Sequence, residues 1–310
     1  MHIMSIIAKI QRTNVYNQVR NAFFRYVMNP LAYRITSRYR ILTSFESIRY
    51  ILNYHCSVSR YGDGEFYVMM GKGNGFQEPN PKLAERLKQV IQAHDAPNHM
   101  IGIPLPMKDV SGLIDGYPPF FWRYYMGKHV FFIDKFIQKD RLYLNTQLSR
   151  FYYEVRDKSC CGEQVNLLKR IWERQNLFVA EGELTRSGVG NDLYNSARRV
   201  RRLLCPATNA FDKYDDIVDN IQKHAEKDEL ILLSLGMTAT VLAYDLAKLG
   251  YWAIDMGHLD IEYEWYLRGC NNMDKPLPVK GKFTNEAVGG DVVADCTDAQ
   301  YLSQIICKVL

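Results

Sequence analysis

Apolar residues recur every four or five positions near the start of the chain, at Ile6, Ile10, Val15, Val19, Phe23 and Val27. Positions about 3.6 apart share one helix face, so the spacing predicts a helix over residues 5–28. Asn29-Pro30 predicts its end, because proline disfavours helical backbone in the residue before it. Leu83, Leu87, Val90 and Ile91 predict another helix over 81–93, and Ile101-Gly-Ile-Pro-Leu-Pro reads as a short buried strand closed by prolines. Between the two N-terminal patterns, Gly71-Lys-Gly-Asn-Gly75 does not match GxGxxG and reads as a loop. The aromatic run Phe120, Phe121, Trp122, Tyr124, Tyr125 predicts core more readily than a sugar-stacking platform. From Leu177 the pattern becomes regular: strand 177–180, helix 192–202, strand 203–205, helix 213–225, strand 230–235, helix 238–249, strand 252–255. Strand and helix in alternation build a mostly parallel sheet with helices on both faces, an α/β fold.

A chain of 310 residues that is 47% hydrophobic supports a substantial core. The longest uncharged stretch, Leu230 to Tyr244, is interrupted by Ser234, Gly236 and Thr238, so no membrane span is expected. Lys9 and Arg12 break up Met4 to Ile10 before a signal-peptide apolar core can form. Seven scattered cysteines with no CxxC pair fit reduced thiols and a cytoplasmic location better than a disulfide framework. Charge is uneven. Residues 1–60 hold nine Lys/Arg against one acid, Glu46, a local +8 within an overall +5, so the remainder carries −3. Arg20, Arg25, Arg34, Arg38 and Arg40 interleave with Phe23, Phe24, Tyr26, Tyr33 and Tyr39, as in a helix lying on an anionic membrane surface. Residues 1–44 are accordingly expected to be a basic amphipathic extension, peripheral to the membrane or packed on its own domain or a second subunit, ahead of a domain over 45–310. Nucleic acid is not expected as a partner, since the rest of the chain is acidic and carries no nucleic-acid motif.

Chemistry concentrates in four places. Arg60-Tyr-Gly-Asp63-Gly-Glu65 sets two carboxylates two positions apart between glycines, a pattern suited to a hard divalent cation and the phosphates it carries, though also to a plain turn. In parallel sheets ligands bind beyond the carboxyl ends of the strands. After the first regular strand, Arg186, Gly188, Gly190 and Asn191 offer a guanidinium fork, backbone N–H groups and a helix cap to a diphosphate. After the third, Gly236 and Thr238 open a helix in a similar way, equally as a nucleotide site or as an ordinary capped turn. After the fourth, His258, Asp260, Glu262 and Glu264 crowd four titratable groups into seven residues. Extended backbone would send all four to one side; a helix would pair Asp260 with Glu264. Crowding of this kind raises a carboxylate pKa toward the general-base range.

Together, Arg60 to Glu65, Thr185-Arg-Ser-Gly-Val-Gly-Asn-Asp192, Leu235-Gly-Met-Thr-Ala-Thr-Val-Leu-Ala-Tyr-Asp245 and Asp255-Met-Gly-His-Leu-Asp-Ile-Glu-Tyr-Glu-Trp265 resemble the GT-D glycosyltransferases over roughly residues 45 to 310. The resemblance implies a Rossmann-like fold and transfer of a hexose from a nucleotide-diphosphate sugar, with a UDP-sugar expected, to a glycan or glycoconjugate hydroxyl. It also implies Mn²⁺ or Mg²⁺ on the family's Asp-x-Glu motif, here Asp63 and Glu65, and places the family's His and Glu pair on His258 and Glu264. Glu264 is then the expected base, with Asp260 or Glu262 as alternates, His258 near the metal or phosphates, and inversion at the anomeric carbon. A metal-dependent phosphoesterase acting on nucleotide sugars, or a non-catalytic subunit of a glycan-assembly complex, would use the same scaffold.

Overall fold

The computed structural model describes residues 14–270, 277–284, 287 and 289–310. Helix α1 (Asn14–Ala22) runs through a π-helical turn (Phe23–Met28) into α2 (Asn29–Thr36), so the helix predicted to stop at Asn29-Pro30 continues. Pro30 follows directly on the π-turn, at the start of the α2 segment. The part of that predicted helix before Asn14 lies outside the described residues. There follow β1 (Arg40–Ile41), α3 (Ser44–Tyr54), β2 (Ser57–Arg60), α4 (Asp63–Met69), α5 (Pro81–Gln92), β3 (His99–Ile103), α6 (Tyr117–Ile133), β4 (Leu142–Asn145), α7 (Cys161–Lys169) and β5 (Asn176–Gly182). The chain then forms β6 (Arg199–Cys205), α8 (Tyr214–His224), β7 (Leu230–Ser234), α9 (Met237–Lys248), β8 (Trp252–Asp255), α10 (Leu259–Leu267), α11 (Ala299–Gln304) and β9 (Ile305–Lys308).

All nine strands form one parallel sheet in the order β1-β4-β3-β2-β8-β7-β5-β6-β9. The α/β Rossmann-like reading therefore holds, with more strands than the periodicity showed. The helix predicted over 192–202 is absent. Residues 192–198 form turns and Arg199 already pairs with Asn176, so β6 takes up Arg199-Val-Arg-Arg. Arg202 is accommodated there because its guanidinium meets the buried Glu181 carboxylate of β5 at 2.6 Å.

The central strands are buried on both faces, and their side chains point to the two faces in turn as the pleat requires. Leu177, Val179, Leu230, Leu232 and Ile254 face a core built with Ile48 and Ile51 of α3, Val165 and Leu168 of α7, and Leu259 and Trp265 of α10. Phe178, Ala180, Ile231 and Leu233 point the other way, onto Ile217 and Ile221 of α8 and Ala239 and Leu242 of α9. That second face continues under α5 and α6, where Trp122 and Tyr125 of the aromatic run are buried, as expected for core. At the sheet centre β2 and β8 are neighbours although nearly 200 residues separate them. The chain leaves β2 for β3 and β4 on one side and reaches β8 from β5 and β7 on the other, a switch point of the kind at whose carboxyl ends α/β sheets bind ligands.

Candidate active site

Arg60 ends β2 and Asp255 ends β8, so the sheet itself sets a guanidinium beside a carboxylate: Arg60 Nε lies 3.4 Å from Asp255 Oδ1, both largely buried. Arg60 Nη1 also donates to the Thr146 carbonyl (3.1 Å) and to the Ser149 hydroxyl. Thr240 Oγ1 bridges from α9, 2.8 Å from the Arg60 carbonyl and 3.3 Å from Asp255 Oδ2. Gly257, at φ +52°, lets the chain pass across the guanidinium; a Cβ there would overlap Arg60 Nη2.

The Asp63-Gly-Glu65 stretch is the first turn of α4. Glu65 turns back so that Oε2 accepts the Gly62 N–H at 2.6 Å. Burial and the neighbouring Asp255 charge, with a smaller contribution from Asp63, push its pKa up to about 7. Burial likewise raises Asp255, against the pull of Arg60. Three carboxylates thus crowd the heads of two adjacent strands. Asp63 and Glu65 are the hard oxygen donors here that could hold a divalent cation. Among the described residues no group of three or more His, Cys, Asp or Glu side chains is arranged to hold a metal ion, so two protein ligands are the most this site would supply. The remaining positions on a cation would fall to water or phosphate oxygens, the usual arrangement for Mg²⁺.

The rim of this site comes from two further loops. Gly236, at φ +54°, is the cap of α9, while Thr238 is buried in its first turn and its hydroxyl has no hydrogen-bond partner among the described residues. Met237 lies so close over Gly64 that a Cβ there would sit 2.8 Å from its Cε. His258 caps α10, its ring 5.0 Å from that of Phe76, which in turn packs edge-on against Phe283 at 5.7 Å.

The acidic run after β8 is helical, and the helix divides it. Asp260 and Glu264, one turn apart, face the loop after β5: Asp260 Oδ1 accepts the Gly188 N–H (2.7 Å) and Asn191 Nδ2 (3.0 Å), and Glu264 Oε1 accepts Asn191 Nδ2 (2.7 Å). Lys282 Nζ bridges both carboxylates at 2.6 and 3.2 Å in a pocket that leaves its side chain 4% exposed. Burial pushes the Glu264 pKa up, but Asn191, Lys282 and Arg268 together outweigh it and hold the carboxyl below its ordinary value. Glu262 points elsewhere, fully buried, accepting the N–H groups of Tyr152 and Tyr153 at 3.1 and 2.9 Å. Gly190 shares the positive φ of Gly188, and Asn191 caps a turn through the Leu193 N–H, since no helix follows it. Arg186 Nη1 donates to the Gly281 and Ala294 carbonyls at 2.9 and 2.7 Å, tying this loop to the C-terminal segment.

The site residues therefore form two groups. Arg60, Asp63, Glu65, Gly236, Thr238 and His258 gather around the heads of β2, β7 and β8, while Gly188, Asn191, Asp260 and Glu264 are knit together beyond β5. Two participants escaped the sequence reading. Asp255 had a legible signal, an acid ending a central strand; Lys282, in a glycine-flanked stretch with no periodic pattern, had none.

A parallel sheet with acids and glycine-opened helices at its central carboxyl ends is an α/β architecture that binds ligands at its strand ends. The glycosyltransferase GT-D fold family matches residues 58–287, and the chain belongs to it. It is similar to the probable glycosyl transferase Gly of Streptococcus gordonii, 34% identical over 87% of this chain and 39% of that protein. It is also similar to the glycosyltransferase GlyD of Streptococcus pneumoniae, 33% identical over 86% of this chain and 32% of the relative. The chain thus spans well under half the length of these relatives. A solved domain of unknown function 1792, described as having a distinct glycosyltransferase fold, superposes with a TM-score of 0.83 at 35% identity, covering 90% of this chain and 99% of that one. A glycosyltransferase of the same domain type from Streptococcus sanguinis gives 0.82 at 31% identity, covering 88% and 100%.

Proposed function

We propose that this chain transfers a hexose from a nucleotide-diphosphate sugar, with a UDP-sugar the expected donor, to a glycan hydroxyl with inversion, in a reaction that depends on a divalent cation. The observation that carries the reading is the convergence of Arg60, Asp63, Glu65 and Asp255 at the heads of β2 and β8, where α/β sheets bind ligands, in a member of a glycosyltransferase family. Mn²⁺ or Mg²⁺ held by Asp63 and Glu65 would supply Lewis-acid stabilisation of the departing diphosphate. The chain's own groups do the rest. The first-turn N–H groups of α9, opened by Gly236, and the unpartnered Thr238 hydroxyl offer donors to phosphate oxygens, and the positive end of the helix favours their charge. Glu264 belongs to the second group, beyond β5, where Lys282 and Asn191 hold it ionised; as the proposed base it would take the proton of an acceptor hydroxyl that reaches it there. Attack from the side opposite the leaving diphosphate inverts the anomeric centre.

Thermal shift and turnover with UDP-sugars test this directly. Donor plus Mn²⁺ is expected to raise Tm by mass action, and Asp63→Asn or Glu65→Gln to abolish the cation-dependent part. An equal shift in EDTA would remove the metal from the reading. Glu264→Gln should lower turnover 10²–10⁴-fold, the usual contribution of a general base; near-normal turnover would exclude it from that role. A product that NMR shows to keep the donor configuration would refute inversion.

A further inference from the structure

The helical segment ahead of the sheet turns its apolar side outward. Along α1, the π-turn and α2 the outer row is Val15, Val19, Phe23, Val27 and Leu31, exposed by 69, 64, 47, 59 and 43%, with Tyr26 beside it. The inner side is the one the fold uses. Ala32 and Thr36 are buried, and the Phe24 ring meets Tyr124 of α6 edge-on at 5.9 Å. A surface helix of a globular domain normally faces its apolar stripe to the core and its polar residues to water. This one does the reverse over roughly 25 Å of helix, and contiguous exposed apolar surface marks a contact site.

We infer that this face seats on an anionic lipid surface, with the helix lying in the membrane plane and the valine, phenylalanine and leucine side chains in the headgroup–acyl boundary. Charge decides the occupant. The apolar row runs on into the exposed Arg34, with the exposed Arg38 and Arg40 just beyond the helix. Anionic headgroups complement such a surface. A second copy offers no such complement, because residues 14–45 hold no acid that could meet these bases across a two-fold contact. Among the described residues no helix is long and apolar enough to cross a membrane, so the contact is peripheral.

Co-sedimentation of the full chain with vesicles of phosphatidylcholine, with and without phosphatidylglycerol, tests the inference. Vesicle binding needs neither sugar donor nor acceptor, so its failure leaves the glycosyl-transfer reading untouched. Binding to the anionic vesicles alone is expected, weakened by salt. Val19→Asp/Phe23→Asp/Val27→Asp should abolish it without lowering Tm, since all three side chains are exposed. Arg34→Gln/Arg38→Gln should weaken it about 30-fold, roughly fivefold for each base removed from an anionic surface. Equal retention on both vesicle types, or undiminished binding by the triple variant, would overturn the inference. So would a lipid-free dimer that the triple variant dissolves while the parent chain ignores vesicles.

Discussion

Lys282 gives the sharpest test of the acidic cluster, because two buried carboxylates depend on it. Its ammonium lies 2.6 Å from Asp260 and 3.2 Å from Glu264, and the Lys282 and Asp260 side chains are each 4% exposed. In Lys282→Met the stem still fills its space while both carboxylates lose their shared counter-charge. Removing one partner of a buried pair costs about 3–5 kcal/mol, because the charge left behind is neither solvated nor paired. For 310 residues the unfolding entropy converts this to a Tm drop of about 5–8 °C. Differential scanning calorimetry at neutral pH measures it directly. The same substitution combined with Asp260→Asn and Glu264→Gln removes the stranded charges, and should recover at least half of the loss. A drop below about 2 °C, on the same conversion, or no recovery in the triple variant, would refute the claim that Lys282 neutralises this cluster.

Gly257→Ala should displace Arg60, since its Cβ would overlap the guanidinium at a backbone φ of +52°. Loss of a charge-assisted contact of about 1.5–3 kcal/mol then predicts donor binding weakened at least tenfold by calorimetric titration, and unchanged affinity would separate Arg60 from the donor. His99 shares a hydrogen bond with the Ser59 hydroxyl at 2.8 Å, and burial, helped by Arg141, lowers its pKa to about 3. Its folded value lies below the unfolded one, so its contribution to stability is complete above about pH 6.5 and falls away as pH drops toward 3. Between pH 7 and 5 the parent chain should lose about 2 kcal/mol more in denaturant titrations than His99→Gln does. Gly127→Ala places a Cβ against the Phe24 carbonyl, so it should loosen residues 14–36 from α6. Faster amide exchange confined to that segment would show it.

Several elements were legible because their causes are local. The strand at 177–180 and those at 230–235 and 252–255 declare themselves by short apolar runs. Helices 81–93, 213–225 and 238–249 follow from 3.6-residue spacing, and observed bounds differ by a residue or so. The strand expected over 203–205 is the second half of β6; its first half, Arg199-Val-Arg-Arg, shows no apolar run, and pairing with β5 and the Arg202–Glu181 contact are what make it strand. The N-terminal helix was misjudged at Pro30, since a proline signals a helix end and here it follows a π-turn through which the helix continues.

By itself the sequence determined an alternating α/β chain with acids and glycines at strand ends and a basic, apolar-striped beginning, and four of its motifs carried the resemblance to the GT-D family. Composition, period and motif depend on neighbours a few residues away. Only the tertiary structure decided which charges meet. The sheet order brings Arg60 of β2 to Asp255 of β8, the turn of α10 separates Glu262 from Asp260 and Glu264, and the C-terminal segment delivers Lys282 between the latter two. Arg186, read as a phosphate fork, is held by the carbonyls of that same segment. Charge pairing depends on distances across the fold, and sequence spacing does not encode them. The outward turn of Val15, Val19 and Phe23 is the same lesson at the surface: periodicity marks a stripe, and packing against α6 settles which way it faces.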